Sequence, residues 1–547
     1  MKNANSRLNR SSPSIHFLAI VIIFALSLVG HIAIIWSGEL KGYSPSKVVA
    51  ARNLALFLPV LATFFWLTRK QKFRGEMIAF TAAVFLFAVG SLMPYRLFSD
   101  PEYGTRGSER ALARDAKAQT VRLRNIQSGY DDSKKAFMFG DPKAVPDKPS
   151  IQVPVAEYSV TDILKSVNTY IPILALLAFV AGFVFFRNDK ALLWLQSHSL
   201  IIGLATLMPF FIAVLLFSEE GKFLGQTTPW EAVKILFLLS FAGMLADTYT
   251  HLRRTRWGLP TARYFLPFLV IAAMPVVPFF ALSDFGQMLV FFGVYVMLYV
   301  VAVRKRAQLV YAILLVVMVF GVFYATSTAS TGFGLPGRVH FRFYQWLNTW
   351  EPPPTDTWWW KRDYDNYVKS INMVPDPDDA QEIRQRNVEA WSDKVLQQSQ
   401  GLFGIHEGGV MGEGFGLGFP ETVPISDSDF IYAAIGEELG LAGGASLLFA
   451  VGVFILAGTA ISLGSRDMFT KLLAAGFTSF VAFQALVNIG GVLRVIPMTG
   501  ITLPFVSHGG WSLITSFGML GILLAFSHRN SISRPVVEQA PAFIPVR

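Results

Sequence analysis

The sequence predicts an all-α fold, a polytopic transmembrane helical bundle of about twelve helices carrying two long extracytoplasmic loops. Three observations predict it. Hydrophobic residues make up 53% of the 547 positions and charged residues only 15%, where a soluble domain carries about a quarter. Apolar runs of the length needed to cross the hydrocarbon core, about 20 residues of helix, recur along the chain. The basic residues, finally, gather in short clusters between those runs.

The runs fall near 15–36, 49–68, 75–93, 168–187, 192–217, 230–249, 264–281, 286–302, 307–325, 440–463, 472–493 and 507–527. The first follows a basic leader (Lys2, Arg7, Arg10), but it is too long for a signal-peptide core and lacks a small-residue cleavage site. It reads as a retained helix. Residues 1–93 thus form an N-terminal group of transmembrane helices, 167–325 a second and 429–527 a third. Arg69, Lys70, Lys72 and Arg74, then Arg253, Arg254, Arg256 and Arg263, then Arg304, Lys305 and Arg306 mark cytoplasmic turns. With an even helix count the N-terminus and the tail 528–547 are cytoplasmic, and loops 94–166 and 326–428 lie outside.

Loop 94–166 mixes charges of both signs with prolines and carries no recognisable motif. Loop 326–428 holds six tryptophans (Trp346, Trp350, Trp358, Trp359, Trp360, Trp391) and turns glycine-rich from Gly401 to Gly418. The Trp358–Trp360 run reads as an aromatic belt at headgroup level.

Some functions are excluded at this stage. The net charge of +10 could suggest nucleic acid, yet the basic residues form topology clusters rather than one stripe. With no cysteine there is no disulfide, thiolate metal site or cysteine nucleophile.

Ionisable residues at the edges of apolar runs are the first candidates for chemistry. Glu231 and Lys234 are three apart and share a helix face, as a packing ion pair or as substrate contacts. Asp284 either caps the following helix or lines a polar cavity. Glu437 and Glu438 point about 100° apart, so they make a poor acid/base pair, and a helix N-terminal charge preference accounts for at least one. Arg494 calls for an anionic partner, a carboxylate or a phosphate. The Pro/Gly break from Leu503 to Gly510, with Ser507 inside it, favours a cavity, because irregular backbone at membrane depth survives where protein buries it or water lines it.

In order along 227–527 the chain reads Pro229-Trp230-Glu231 with Lys234, Asp284-Phe285-Gly286, Gln398-Ser399, Gly408-Gly409 with Gly412 and Gly414, Asp429-Phe430-Ile431, Gly436-Glu437-Glu438-Leu439-Gly440, Asn488-Ile489-Gly490, Pro497-Met498-Thr499-Gly500 and Leu503-Pro504-Phe505. This ordered set resembles the SEDS family of cell-wall proteins, which includes FtsW, RodA and SpoVE. The resemblance implies a core of about ten helices with a large extracytoplasmic loop before the last three, and two helices added near the N-terminus. It also implies a peptidoglycan glycosyltransferase of the cytoplasmic membrane, serving cell division or cell shape. Such an enzyme polymerises the lipid-linked disaccharide-pentapeptide, lipid II, beside a class B penicillin-binding protein transpeptidase. The implied partners are that precursor, that transpeptidase and the membrane, with no nucleic acid. A flippase for the precursor, using Glu231, Lys234, Asp284 and Arg494, and a non-catalytic scaffold for the transpeptidase are the alternatives.

The family supplies its catalytic carboxylate as a loop Asp after an Arg-Val and an aromatic stretch. Arg338-Val339 and Trp346 to Glu351 match that approach, but prolines 352–354 and an insertion of about forty residues follow, and the family's Asp-Pro-x-Gly is absent. Asp393, four residues before Gln397, is the first choice, with Glu351 and Asp356 behind it. Arg338, Arg342, Lys394 and Arg494 are candidates for the pyrophosphates, and Glu231, Lys234, Asp284, Ser399, Asp429 and Ser507 for further substrate contacts, a helix N-cap being the other use of Asp429. Asp427 stands where the family has His, and His508 where it has Tyr. No motif names a metal site; a divalent cation, Mg or Mn, is the candidate cofactor.

Overall fold

The computed structural model describes residues 12–100, 166–206, 230–253, 285–303, 337–370 and 379–532, with Tyr103, Thr161, the pairs 255–256, 259–260 and 375–376, and Arg263, Val310 and Ile313. Among the described residues nine helices are long and apolar enough to cross a membrane, and each coincides with an expected run. The chain is a multi-pass membrane protein. The runs expected at 264–281 and 307–325, and part of that at 192–217, lie outside the described residues.

Helix α1 (Pro13–Leu40) starts on a proline, whose missing N–H costs nothing in the first turn. Its exposed Leu18, Ile22, Leu26, Val29, Ile32 and Trp36 recur every three or four residues, a lipid-facing stripe, and only a third of its apolar window is buried. Helices α2 (Lys47–Ala55) and α3 (Phe57–Phe65) run on through a π-turn as one span, Lys47–Lys70. Helix α4 (Ile78–Ser99) continues past Pro94 into the segment expected to be loop. Helices α5 (Val167–Phe186), α6 (Asp189–Ser197), α7 (Trp230–Leu252) and α8 (Phe285–Val303) follow, with a two-residue strand pair, Thr255–Arg256 and Leu259–Pro260, after α7.

The large loop is helical. It contains α9 (Gly337–Leu347), α10 (Lys361–Ser370) and α11 (Ala380–Gly408), whose first turn is capped by Asp379 accepting the backbone N–H of Gln381 and Glu382. Trp360, Tyr364, Val368, Ala390, Trp391 and Val395 form a core of their own. Its indoles are satisfied inside: Trp360 Nε1 donates to Asn387 Oδ1 at 2.8 Å, and Trp391 Nε1 to Thr349 O at 2.8 Å. Trp360 is therefore a core residue of the loop, 1% exposed, and not part of a headgroup belt. The inserted stretch supplies the apolar surface that lets the loop fold on itself.

Helices α12 (Ile431–Gly464), α13 (Met468–Val492) and α14 (Gly510–Ile532) close the bundle. Helix α13 packs against α7, α8 and α12 and is 83% buried over its apolar window, so the core of the molecule runs along it. Helix α14 packs chiefly on α5.

Candidate functional site

Helix α12 breaks at Gly440 (φ 63°, ψ −164°), a left-handed conformation that favours glycine. The backbone groups freed there are taken by the glycine-rich loop: Leu441 N–H donates to Gly409 O at 2.9 Å, Ala442 N–H to Val410 O at 3.0 Å, and Gly414 N–H to Glu438 O at 2.9 Å. A broken helix at membrane depth is tolerated because another part of the chain satisfies it. A Cβ on Gly412 would lie 2.3 Å from Glu438 O, so this loop must be glycine to approach.

Glu437 and Glu438 stand at this break, not at a helix N-terminus as the sequence suggested. Glu438 is completely buried and accepts a hydrogen bond from Arg96 Nε at 2.8 Å, and its other oxygen takes the Gly416 N–H. Arg96, also fully buried, reaches Asp100 (3.3 Å), Glu421 (3.2 Å) and Gly418 O (2.9 Å) with its remaining nitrogens. Lys41 donates to the same Gly418 carbonyl at 2.6 Å. Burial pushes the Glu421 carboxyl up, and Arg96 pulls it back. This knot clamps the glycine loop onto α4, and sequence reading missed it. An arginine beside carboxylates in a segment read as loop looks solvated until α4 is seen to extend to Ser99.

A second polar group gathers where the large loop re-enters the bundle. Asp429 lies two residues before α12; the cap position is Phe430, so the carboxylate is not spent on capping, and its Oδ1 accepts the Ser428 hydroxyl at 3.1 Å. Asp429 is half-buried. Arg342, on α9, donates to Thr499 O at 3.2 Å, and its charge acts on Asp429. Ser507 donates to Ser428 O at 2.5 Å and accepts the Leu503 N–H at 2.7 Å, pinning the Pro/Gly break to the loop exit. The His508 N–H donates to Asp427 O at 2.9 Å, and Asp427 Oδ1 accepts the Tyr103 hydroxyl at 2.5 Å. Burial holds the His508 imidazole below its ordinary value, with Asp427 opposing and Arg52 adding to the depression.

Arg494 adopts a positive φ (58°), and its Nε and Nη2 donate to Trp346 O at 3.2 and 2.6 Å while Trp346 Nε1 donates back to Arg494 O at 2.9 Å. A backbone carbonyl of α9, rather than a carboxylate, meets this guanidinium. Lys234 is completely buried and bonds Glu231 at 2.7 Å, with Gln287 Nε2 3.5 Å from the same oxygen. Gly286, the neighbour of Gln287, abuts Thr499 and Ile501.

The loop candidates are placed differently. Asp393, Glu351 and Asp356 are exposed. Asp393 is one turn from Gln397, on the same face of α11, and Gln397 Nε2 donates to Pro424 O at 2.8 Å near the loop exit. Lys394 is paired with Asp363 at 3.1 Å. Ser399 is buried and donates to Val395 O at 3.2 Å. The Arg338 side chain and Asp284 lie outside the described residues. The fold thus brings together Asp429, Arg342 and Ser507, ties Arg494 to Trp346 on α9, pairs Glu231 with Lys234, and leaves Asp393, Glu351, Asp356 and Lys394 on the loop. Among the described residues no three His, Asp or Glu side chains converge as metal ligands.

Residues 381–532 match the family model FTSW_RODA_SPOVE, cell cycle protein. The peptidoglycan glycosyltransferase RodA of Mycobacterium tuberculosis is 46% identical over 129 residues, which is 24% of this chain and 28% of the relative. The probable peptidoglycan glycosyltransferase FtsW of Bacillus subtilis is 41% identical over 138 residues (24% and 33%), and stage V sporulation protein E of the same organism 39% over 142 residues (25% and 39%). The chain spans between 28% and 39% of the length of these curated relatives. Among solved structures, a chain from a peptidoglycan synthase complex aligns with a TM-score of 0.42 at 21% identity, covering 66% of this chain and 98% of that one. The rod shape determining protein RodA of Thermus thermophilus aligns with a TM-score of 0.32 at 20% identity (66% and 97%).

Proposed function

We propose that this chain, whose residues 381–532 belong to the FtsW/RodA/SpoVE family, is a peptidoglycan glycosyltransferase that polymerises lipid-linked disaccharide-pentapeptide. It works at the outer face of the cytoplasmic membrane, with both termini in the cytoplasm, in division or cell shape, beside a class B penicillin-binding protein transpeptidase. The observation that carries this reading is the polar group at the loop exit, where Ser507 bonds the Ser428 carbonyl, Ser428 bonds Asp429 and the Arg342 charge acts on Asp429, at the start of a spanning helix.

The chemistry fits that place. A lipid-linked sugar keeps its chain in the hydrocarbon and its pyrophosphate at the surface, so the reacting carbon is presented where helices end and the polar loop begins. Glycosyl transfer needs a carboxylate for the proton of the attacking sugar hydroxyl and cationic donors for the charge growing on the departing pyrophosphate. Arg342 supplies such a cation at the loop exit, and Arg494, held by the carbonyl of Trp346 one turn along the same helix as Arg342, is the second. The helical loop above, stiffened by its Trp360 and Trp391 core, gives the acceptor sugar a fixed wall.

The test is polymerisation of labelled lipid-linked precursor by the purified full chain with its transpeptidase partner. Asp393→Ala and Glu351→Ala are run alongside to test the loop carboxylates. Glycan ladders from the wild type are expected. Wild type that makes no polymer but moves labelled precursor across vesicles would replace this reading with transport, and wild type that does neither would leave a scaffold.

A further inference from the structure

The loop exit holds a carboxylate whose surroundings differ from those of Asp393, Glu351 and Asp356, which are exposed. Asp429 is fixed through its backbone: Asn488 Nδ2, from α13, donates to its carbonyl at 2.9 Å and to Ile501 O at 2.6 Å. Its Oδ1 is taken by the Ser428 hydroxyl. Its Oδ2 lies near Gly500, over which the space is open. A Cβ built on Gly500 (φ 76°) would meet, apart from its chain neighbours, no atom within 4 Å except Asp429 Oδ2, at 3.8 Å. Two buried polar atoms beside it, Asn488 Oδ1 and Thr499 Oγ1, have no partner within the protein. Buried polar groups are seldom left unpaired, so such a pair beside a half-open carboxylate is where a polar ligand completes the hydrogen bonding.

We propose that Asp429 is the proton acceptor of glycosyl transfer in this chain, taking the proton of the attacking sugar hydroxyl on Oδ2 while Arg342 faces the departing diphosphate. The proposal rests on the glycan-polymerase reading and names a residue within it. In the step, the acceptor oxygen forms its bond to the anomeric carbon of the donor sugar and its proton passes to Asp429. The bond from that carbon to the phosphate oxygen breaks, and its electron pair leaves on the lipid diphosphate. Gly500 keeps the space beside Oδ2 free for the hydroxyl, and the Ser428 hydroxyl orients the carboxylate.

Asp429 has the basicity for this. Burial raises its carboxyl from 3.8 to about 6; Asp427 pushes the same way, and the Ser428 hydroxyl, its own backbone and Arg342 pull it back. Asp427 and Arg342 are the charged groups that act on it. A base poised near the operating pH is most effective, and such groups contribute about 100-fold to 10,000-fold in rate.

The experiment compares Asp429→Asn, Asp429→Glu and Asp393→Asn in the full chain with its transpeptidase partner, measuring polymerisation from pH 5 to 9 and the detergent-solubilised melting temperature of each variant. Asp429→Asn is expected to lose at least about 100-fold in rate while melting as a folded protein, and Asp393→Asn to lose less than about threefold. Should Asp429→Asn fail to fold, Asp429→Glu decides: a displaced acid limb of the pH–rate profile supports the assignment, and an unmoved one overturns it. An Asp429→Asn variant within about threefold of wild type, or an Asp393→Asn variant that is inactive, would move the base to the loop and leave the polymerase reading standing. A wild type that makes no polymer overturns both.

Discussion

Replacing Arg96 with methionine tests how the glycine-rich loop is held. The guanidinium is completely buried and serves Glu438 at 2.8 Å, Glu421 at 3.2 Å, Asp100 at 3.3 Å and the Gly418 carbonyl at 2.9 Å. Methionine fills most of the volume but strands Glu438 beside two further carboxylates. The Gly418 carbonyl is not orphaned, because Lys41 still donates to it at 2.6 Å, so the cost comes from the charges. Removing one partner of a buried ion pair costs about 3–5 kcal/mol. At roughly 2–4 °C per kcal/mol that is a fall in melting temperature of about 6–20 °C. The assay is the loss of the monodisperse peak in detergent after heating, run for Arg96→Met, Glu438→Gln and the double variant. Gln keeps an acceptor for the Gly416 N–H, so the double variant should recover a large part of the loss, since an uncharged pair carries no unpaired buried charge. A single variant that melts within about 2 °C of wild type, or a double variant at the sum of the singles, would refute the clamp.

The other predictions concern the break, the loop exit and the loop core. Gly440→Ala forces a Cβ to within 2.3 Å of Gly412 N at a positive φ; it should destabilise the protein by several kcal/mol, read as a low melting temperature and rapid proteolysis near 409–418. Gly500→Ala puts a methyl 3.8 Å from Asp429 Oδ2 at a strain of about 1–2 kcal/mol; it should slow polymerisation far more than it lowers melting. Trp391→Ala empties the loop core at a cost of about 3–5 kcal/mol, and hydrogen exchange should quicken across 337–395 while α13 stays protected. Asp429→Asn should raise stability at pH 8. The wild-type carboxyl binds its proton more tightly when folded (about 6) than when unfolded (3.8), so wild-type stability falls as pH rises between those values and stays low above them. Melting curves at pH 8 and pH 4 should show that advantage closing at the lower pH, and an advantage that grows on acidification would reverse the assigned shift.

The spanning helices were legible in the sequence because lipid imposes one simple demand, about 20 apolar residues with every backbone group paired inside the segment. Nine of the expected runs stand as such helices among the described residues. Motif order along 227–527 put the catalytic carboxylate on the loop, at Asp393, and Asp429, Arg342, Arg494 and Ser507 were named only as substrate-binding candidates. What sequence could not supply was the partner of each charge. Arg96 and Glu438 are 342 residues apart and meet only because α4 runs past Pro94 and packs against α12 beside its break. The Trp358–Trp360 run has the composition of a membrane belt, and only the arrival of α11 turns Trp360 into the core of a folded loop.

The chain by itself determined that this is a membrane bundle and where along it polar groups interrupt the apolar ones, because transfer free energy depends on composition over a window. Tertiary structure decided which carboxylate is exposed, which is locked to an arginine and which lies near the open space over Gly500. Burial and field at a carboxylate come from groups far away in sequence: Asn488, Gly500 and Arg342 make Asp429 what it is, and solvent leaves Asp393 on the surface of α11.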